Sequence, residues 1–121
     1  MRTDWKRSLG VASVVLAGFV LAGCASGPEL PSPQQIEAAR TRADHDGVAS
    51  AFAYQADMAR RDAATHRDMD RSFAALRAIG QGAYPDMEKH CAAAISKYEG
   101  MATQYDRRAA DHRRMAQGDL R

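Results

Sequence analysis

Four histidines (His45, His66, His90, His112), Cys91 and the methionines Met58, Met69, Met87, Met101 and Met115 are the side chains best equipped for chemistry. Imidazole and thioether together suit copper, Cu(I) above all. His66-x-x-Met69, Met87-x-x-His90 and His112-x-x-Met115 each set two such donors on one helical face, because residues three apart are neighbours on a helix. If two helices run antiparallel about a turn near residue 82, His66 and Met69 approach Met101, while Met87, His90 and Cys91 gather by the turn. The candidate metal ligands are therefore His66, Met69, Met101, His90 and Cys91. The same residues have a plainer use: Met at heptad spacing fills gaps in a core, and His among Arg and Asp serves as a surface hydrogen-bonder.

Other chemistry is absent from the sequence. There is no glycine-rich phosphate loop, no His-Glu-x-x-His and no Glu-x-x-His pair of the di-iron bundle kind. Asp62/His66 and Asp86/His90 lie one turn apart, which suits a helix-face hydrogen bond as well as a carboxylate behind a metal-bound imidazole. No nucleophile stands beside a base. The chain is read as a non-enzyme with no cofactor other than a possible copper ion.

The elements that must position these residues are helices. Alanine dominates, β-branched residues are few, and nothing alternates with period two. Ser32, Pro33 and Gln35 form a helix start of the capping-box type. Gly80 offers a left-handed C-cap, Pro85 opens the next helix, Asp86 and Glu88 suit its first turn, and Gly118 ends it. The expected fold is all-α: an antiparallel, coiled-coil-like helical hairpin of Pro33–Ile79 and Pro85–Gln117. Those arms, 47 and 33 residues long, would measure roughly 70 and 50 Å. Asp44-His45-Asp46-Gly47 is the poorest helix-forming run, so a kink or break is expected there.

Heptad rows predict the facing surfaces. His45, Phe52, Ala59, His66 and Phe73 share one position, with Val48, Met69 and Leu76 beside it. Tyr84, Cys91, Tyr98, Tyr105 and His112 recur in the second arm, with Met87, Ala94, Met101 and Met115 three residues after members of that row. The tyrosines read as seam residues with their hydroxyls reaching water. With the turn centred near residue 82, Phe73 should face Cys91, His66 Tyr98, Ala59 Tyr105 and Phe52 His112. One echo accompanies this pattern: Ala63–Met69 resembles Ala109–Met115 at an offset of 46.

The first 24 residues carry a different signal. Arg2, Lys6 and Arg7 precede an uncharged stretch, Ser8 to Leu21, which is too short to span a bilayer core of about 30 Å as a lasting helix. It is followed by Leu21-Ala22-Gly23-Cys24. These four residues resemble the lipobox of bacterial lipoproteins. The resemblance covers residues 1–24 and implies cleavage before Cys24, diacylglycerol on the Cys24 thiol and a further acyl chain on the new amino terminus. In lipoproteins of this kind, a second residue other than Asp implies the outer membrane, and Ala25 stands there. The implied location is the periplasmic side of that membrane. The murein lipoprotein is similar in combining lipobox and heptads, but its terminal Lys has no counterpart in Leu120-Arg121.

The expected organisation is thus a cleaved signal over 1–23, a lipidated Cys24 with a Pro-rich tether over 24–32, and a periplasmic helical hairpin over 33–121. The +2 formal charge comes from Arg2, Lys6, Arg7 and Asp4; residues 24–121 hold 14 basic and 14 acidic side chains. A nucleic-acid binder would show an excess of positive charge, so none is expected. Arg among Asp at helical spacing reads as ion pairs on a solvated surface. With Cys24 lipidated, Cys91 would stand alone, and burial is its expected state. Two Ala-rich helices bury too little apolar surface to offset backbone entropy of about 1–2 kcal/mol per residue. Self-association, or docking on an envelope partner, is expected in addition to the lipid contact with the membrane.

Overall fold

The computed structural model describes residues 27–118. Residues 1–26, and with them the signal segment and Cys24, lie outside the described residues, as do 119–121. Three helices follow in order: α1 (Pro33–Ala38), α2 (Arg42–Ala78) and α3 (Pro85–Ala116). The long α2 and α3 pack against each other as an antiparallel hairpin, the all-α architecture expected from the periodicity.

Local chemistry explains each boundary. At α1, the Ser32 hydroxyl accepts from the Gln35 amide (3.1 Å) while the Gln35 side chain accepts from the Ser32 amide (2.8 Å), and Pro33 occupies the first turn. At the end of α2, Gly80 adopts a left-handed φ of 74°. Its amide donates to the Arg77 carbonyl (3.1 Å) and the Gln81 amide to the Leu76 carbonyl (2.9 Å). That is a Schellman closure, which satisfies carbonyls the helix leaves free. Pro85 opens α3, Asp86 and Glu88 lie in its first turn, and Gly118 (φ 81°) follows its end.

The first arm is not one rod. Its break falls at Ala39–Thr41, ahead of the expected Asp44–Gly47, which are helical. Thr41 caps α2: its hydroxyl accepts from the Asp44 amide (3.1 Å), and the Asp44 carboxylate accepts from the amides of Thr41 (2.9 Å) and Arg40 (3.0 Å). Asp44 is poor in a helix interior but favourable in a first turn. The run that looked like a breaker is a start.

The segment ahead of α1 is held against the hairpin. Residues 28–32 run back beside α2, where the Gln55 side-chain amide donates to the Pro28 carbonyl (2.9 Å). Gly27 sits so close to the Tyr54 ring that a Cβ there would overlap it. α1 then covers the open end of the hairpin, with Ile36 and Ala39 packed on Val48, Phe52 and Ala109.

Between α2 and α3 the seam is mostly alanine. Ala49, Ala56, Ala59 and Ala63 on α2 and Ala102, Ala109 and Ala116 on α3 are buried. Small side chains let the two backbones approach closely, but they remove little apolar surface from water. Phe52 and Cys91 are the largest side chains that are almost fully enclosed. Arg–carboxylate pairs line the edges. Arg60–Asp106, Arg67–Glu99 and Arg77–Glu88 cross between α2 and α3, and Arg71–Asp68 and Arg114–Asp111 run along single helices. They are solvent-exposed, so each contributes about 0–1 kcal/mol. Their larger effect is on register.

Candidate functional site: histidine clusters in the helical seam

Ring contacts show how α2 and α3 interlock. His45 with His112, Phe52 with Tyr105 and Phe73 with Tyr84 have residue numbers adding to 157. Phe52 with His112 and His66 with Tyr98 add to 164, the value expected from the sequence. Each seam residue therefore meets two levels of the opposite helix, one heptad apart. His66 stacks on Tyr98 (centroids 5.7 Å apart) and Phe52 lies by His112 (6.1 Å), both as expected. Phe73 was expected opposite Cys91; its ring contact is with Tyr84 (5.3 Å), and it is half-buried. Tyr105, expected opposite Ala59, stacks on Phe52 (6.1 Å).

A buried polar contact in the seam joins His45 and His112, which are 8% and 7% exposed. Their Nδ1 atoms are 3.0 Å apart, one donating to the other. Two imidazolium ions could not share that contact, so at least one ring is neutral. Burial pushes the His112 pKa below its usual value of 6.5, and the charge of nearby His45 acts in the same direction. Neither residue was among the candidate ligands. The available signal was their place at the far ends of the two heptad rows, where a turn centred near 82 brings the rows together.

The second cluster surrounds His66. Its Nδ1 is buried and has no hydrogen-bond partner. His90 packs edge-to-face against it, centroids 5.4 Å apart, and is itself exposed. Cys91 is a free thiol, fully enclosed, as expected for a lone cysteine in a seam. A buried polar atom without a partner carries a cost of about 1–3 kcal/mol, which makes His66 the least satisfied residue described.

The five candidate ligands spread along the seam. By the register above, Met69 faces the stretch 88–95 of α3, while Met101 faces 56–63 of α2. Met101 thus lies six residues beyond the end of the stretch that Met69 faces, about 9 Å along the axis. His66, Met69, His90 and Cys91 fall within one heptad of the seam, and Met101 lies beyond it toward the open end. Among the described residues, no three side chains of His, Cys, Asp or Glu converge on a point a metal ion could occupy. A cross-helix group here would have to take methionine sulfur as a third donor.

Among the described residues, no helix is long and apolar enough to cross a membrane. Compared with known proteins, the chain matches no family model, no curated protein and no solved structure.

Proposed function

We propose that this chain is a lipid-anchored envelope protein whose helical hairpin has a structural or protein-docking role. The observation that carries the reading is Leu21-Ala22-Gly23-Cys24, closing a basic and then apolar amino terminus. A diacylglyceryl group on Cys24, with a further acyl chain, gives stable attachment to a membrane. The absence of Asp after Cys24 favours the outer membrane. The hairpin supports the role in kind: its seam is narrow and alanine-rich, and its outer faces carry balanced charge. Such a surface suits association with a second copy or an envelope protein better than catalysis. Replacing Cys24 with Ala tests the anchor. The expected result is an uncleaved precursor that takes up no labelled fatty acid; normal labelling would overturn the reading.

A second reading, a copper-binding lipoprotein, is favoured by one feature: the buried, unpartnered Nδ1 of His66, on the level of fully enclosed Cys91. Titrating the full-length chain with Cu(I) tests it. Binding no tighter than that of exposed histidines would remove this reading and leave the anchor untouched.

A further inference from the structure

The two ends of the seam are related by a shift in sequence. A shift of 46 residues carries His45 to Cys91, Phe52 to Tyr98, Ala56 to Ala102, Ala63 to Ala109, His66 to His112 and Met69 to Met115. Applied to the hairpin, the shift exchanges the helices and preserves the register. The contact of Phe52 with His112 (6.1 Å, 32°) thereby becomes the contact of Tyr98 with His66 (5.7 Å, 21°), and both are present. The hairpin has an internal pseudo-two-fold axis. By that operation, the pairing of His45 with His112 becomes a pairing of Cys91 with His66.

This relation gives the orphan a counterpart. By that operation the Nδ1 of His66, buried and without a hydrogen-bond partner, corresponds to the Nδ1 of His112, which reaches His45. Across from it the repeat substitutes a thiol for an imidazole. Each end of the seam thus holds two nitrogen or sulfur donors from different helices, and a methionine one turn after the histidine, half-buried on the same face.

We propose that each end of the seam binds one soft monovalent ion, Cu(I) in the first instance: His45, His112 and Met115 at the open end, Cys91, His66 and Met69 toward the turn. The inference rests on the copper reading and extends it to a second, equivalent site. At the open end the two Nδ1 atoms stand 3.0 Å apart. An ion about 2.0–2.1 Å from each, in a planar three-donor site, would hold them roughly 3.5–3.6 Å apart, so the rings need only a small displacement. The donor set favours a monovalent ion. Imidazole and thioether are neutral, and a divalent ion in a buried pocket without a carboxylate would keep its full charge away from water. At the open end, with both rings neutral, the bridging proton moves from Nδ1 to Nε2 of the same ring, and none is released. Toward the turn, the Cys91 thiol gives up one proton to solvent as the copper–thiolate bond forms.

The test is anaerobic competition for Cu(I) against bicinchoninate, using the full-length chain in detergent. Two Cu(I) per chain are expected. His112→Ala should remove one and His66→Ala the other. Met115→Leu, which keeps the core filled, should weaken one site by at least the roughly tenfold that loss of a supporting group brings. Circular dichroism checks that each variant stays helical; should His112→Ala unfold, Met115→Leu decides. A single copper that is lost in Cys91→Ser and unaffected by Met115→Leu would overturn the two-site inference while leaving the copper reading in place. No copper captured from bicinchoninate would overturn both.

Discussion

Phe52 and Phe73 sit on the same heptad row, yet the structure gives them different weights. Phe52 is 2% exposed, stacked on Tyr105 and covered by Ala39 of the α1 segment. Phe73 is half-buried against Tyr84, which is 39% exposed beside the turn. Truncating a fully buried Phe costs about 3–5 kcal/mol, through lost transfer energy and the cavity left behind. Phe52→Ala should show that loss, and Phe73→Ala a clearly smaller one. Arg67→Ala removes only an exposed ion pair with Glu99, so a few tenths of a kcal/mol are expected. Chemical denaturation of the three variants checks the ranking; equal losses for Phe52 and Phe73 would contradict the burial pattern. The row itself was legible from spacing alone. Which member was enclosed was not, because that depends on α1 folding back over one end.

At the scale of the element, the start of α2 depends on one carboxylate. Asp44 accepts from the backbone amides of Arg40 and Thr41 and is bonded to the Thr41 hydroxyl; these bonds, in that order, hold its pKa at about 2 against an ordinary 3.8. The folded state therefore binds this proton less readily than the unfolded chain. Its stabilisation is fully present above about pH 4 and is lost as pH falls from there toward 2. Following the Arg40 and Thr41 amide resonances through an acid titration should give a midpoint near 2. In Asp44→Ala that step should vanish, and the amides of the first turn of α2 should exchange faster at neutral pH. A midpoint near 4 in the unaltered chain would show that the cap does not form. The sequence contained this cap as Thr41-x-x-Asp44. It was hidden because Asp44-His45-Asp46-Gly47 scores poorly as helix interior, and propensity alone does not distinguish a bad middle from a good beginning.

For the whole molecule, the question is how so thin a seam holds. Among the described residues eleven hydrophobic side chains are buried, and seven of them besides Ala39 are alanines. Side chains of that size add little to the apolar area removed from water, and the exposed ion pairs add about 0–1 kcal/mol each. Two long helices joined this way are expected to gain stability by association. The full-length chain in detergent should sediment as an oligomer at micromolar concentration, and its thermal midpoint should rise with protein concentration. A monomer with a sharp, concentration-independent transition would contradict this.

Much of the architecture was open to inspection before any coordinates. Gly80, Pro85 and Gly118 mark helix ends by backbone conformation, and heptad spacing marks the inner faces, since both act within a few residues of chain. The alanine rows 49, 56, 63 and 102, 109, 116 were visible in the same way, though small apolar residues attract less notice than rings. Pairing across the seam depended on the tertiary structure. A turn centred near 82 implies one set of partners, but a heptad seam offers each residue two levels of the opposite helix. Packing brought His45 to His112 and Phe73 to Tyr84 through the second of these. The same register separated Met101 from Met69 and divided the histidines between two related ends. Local spacing determines which side chains share a face; only the docking of one helix on another decides which of them meet.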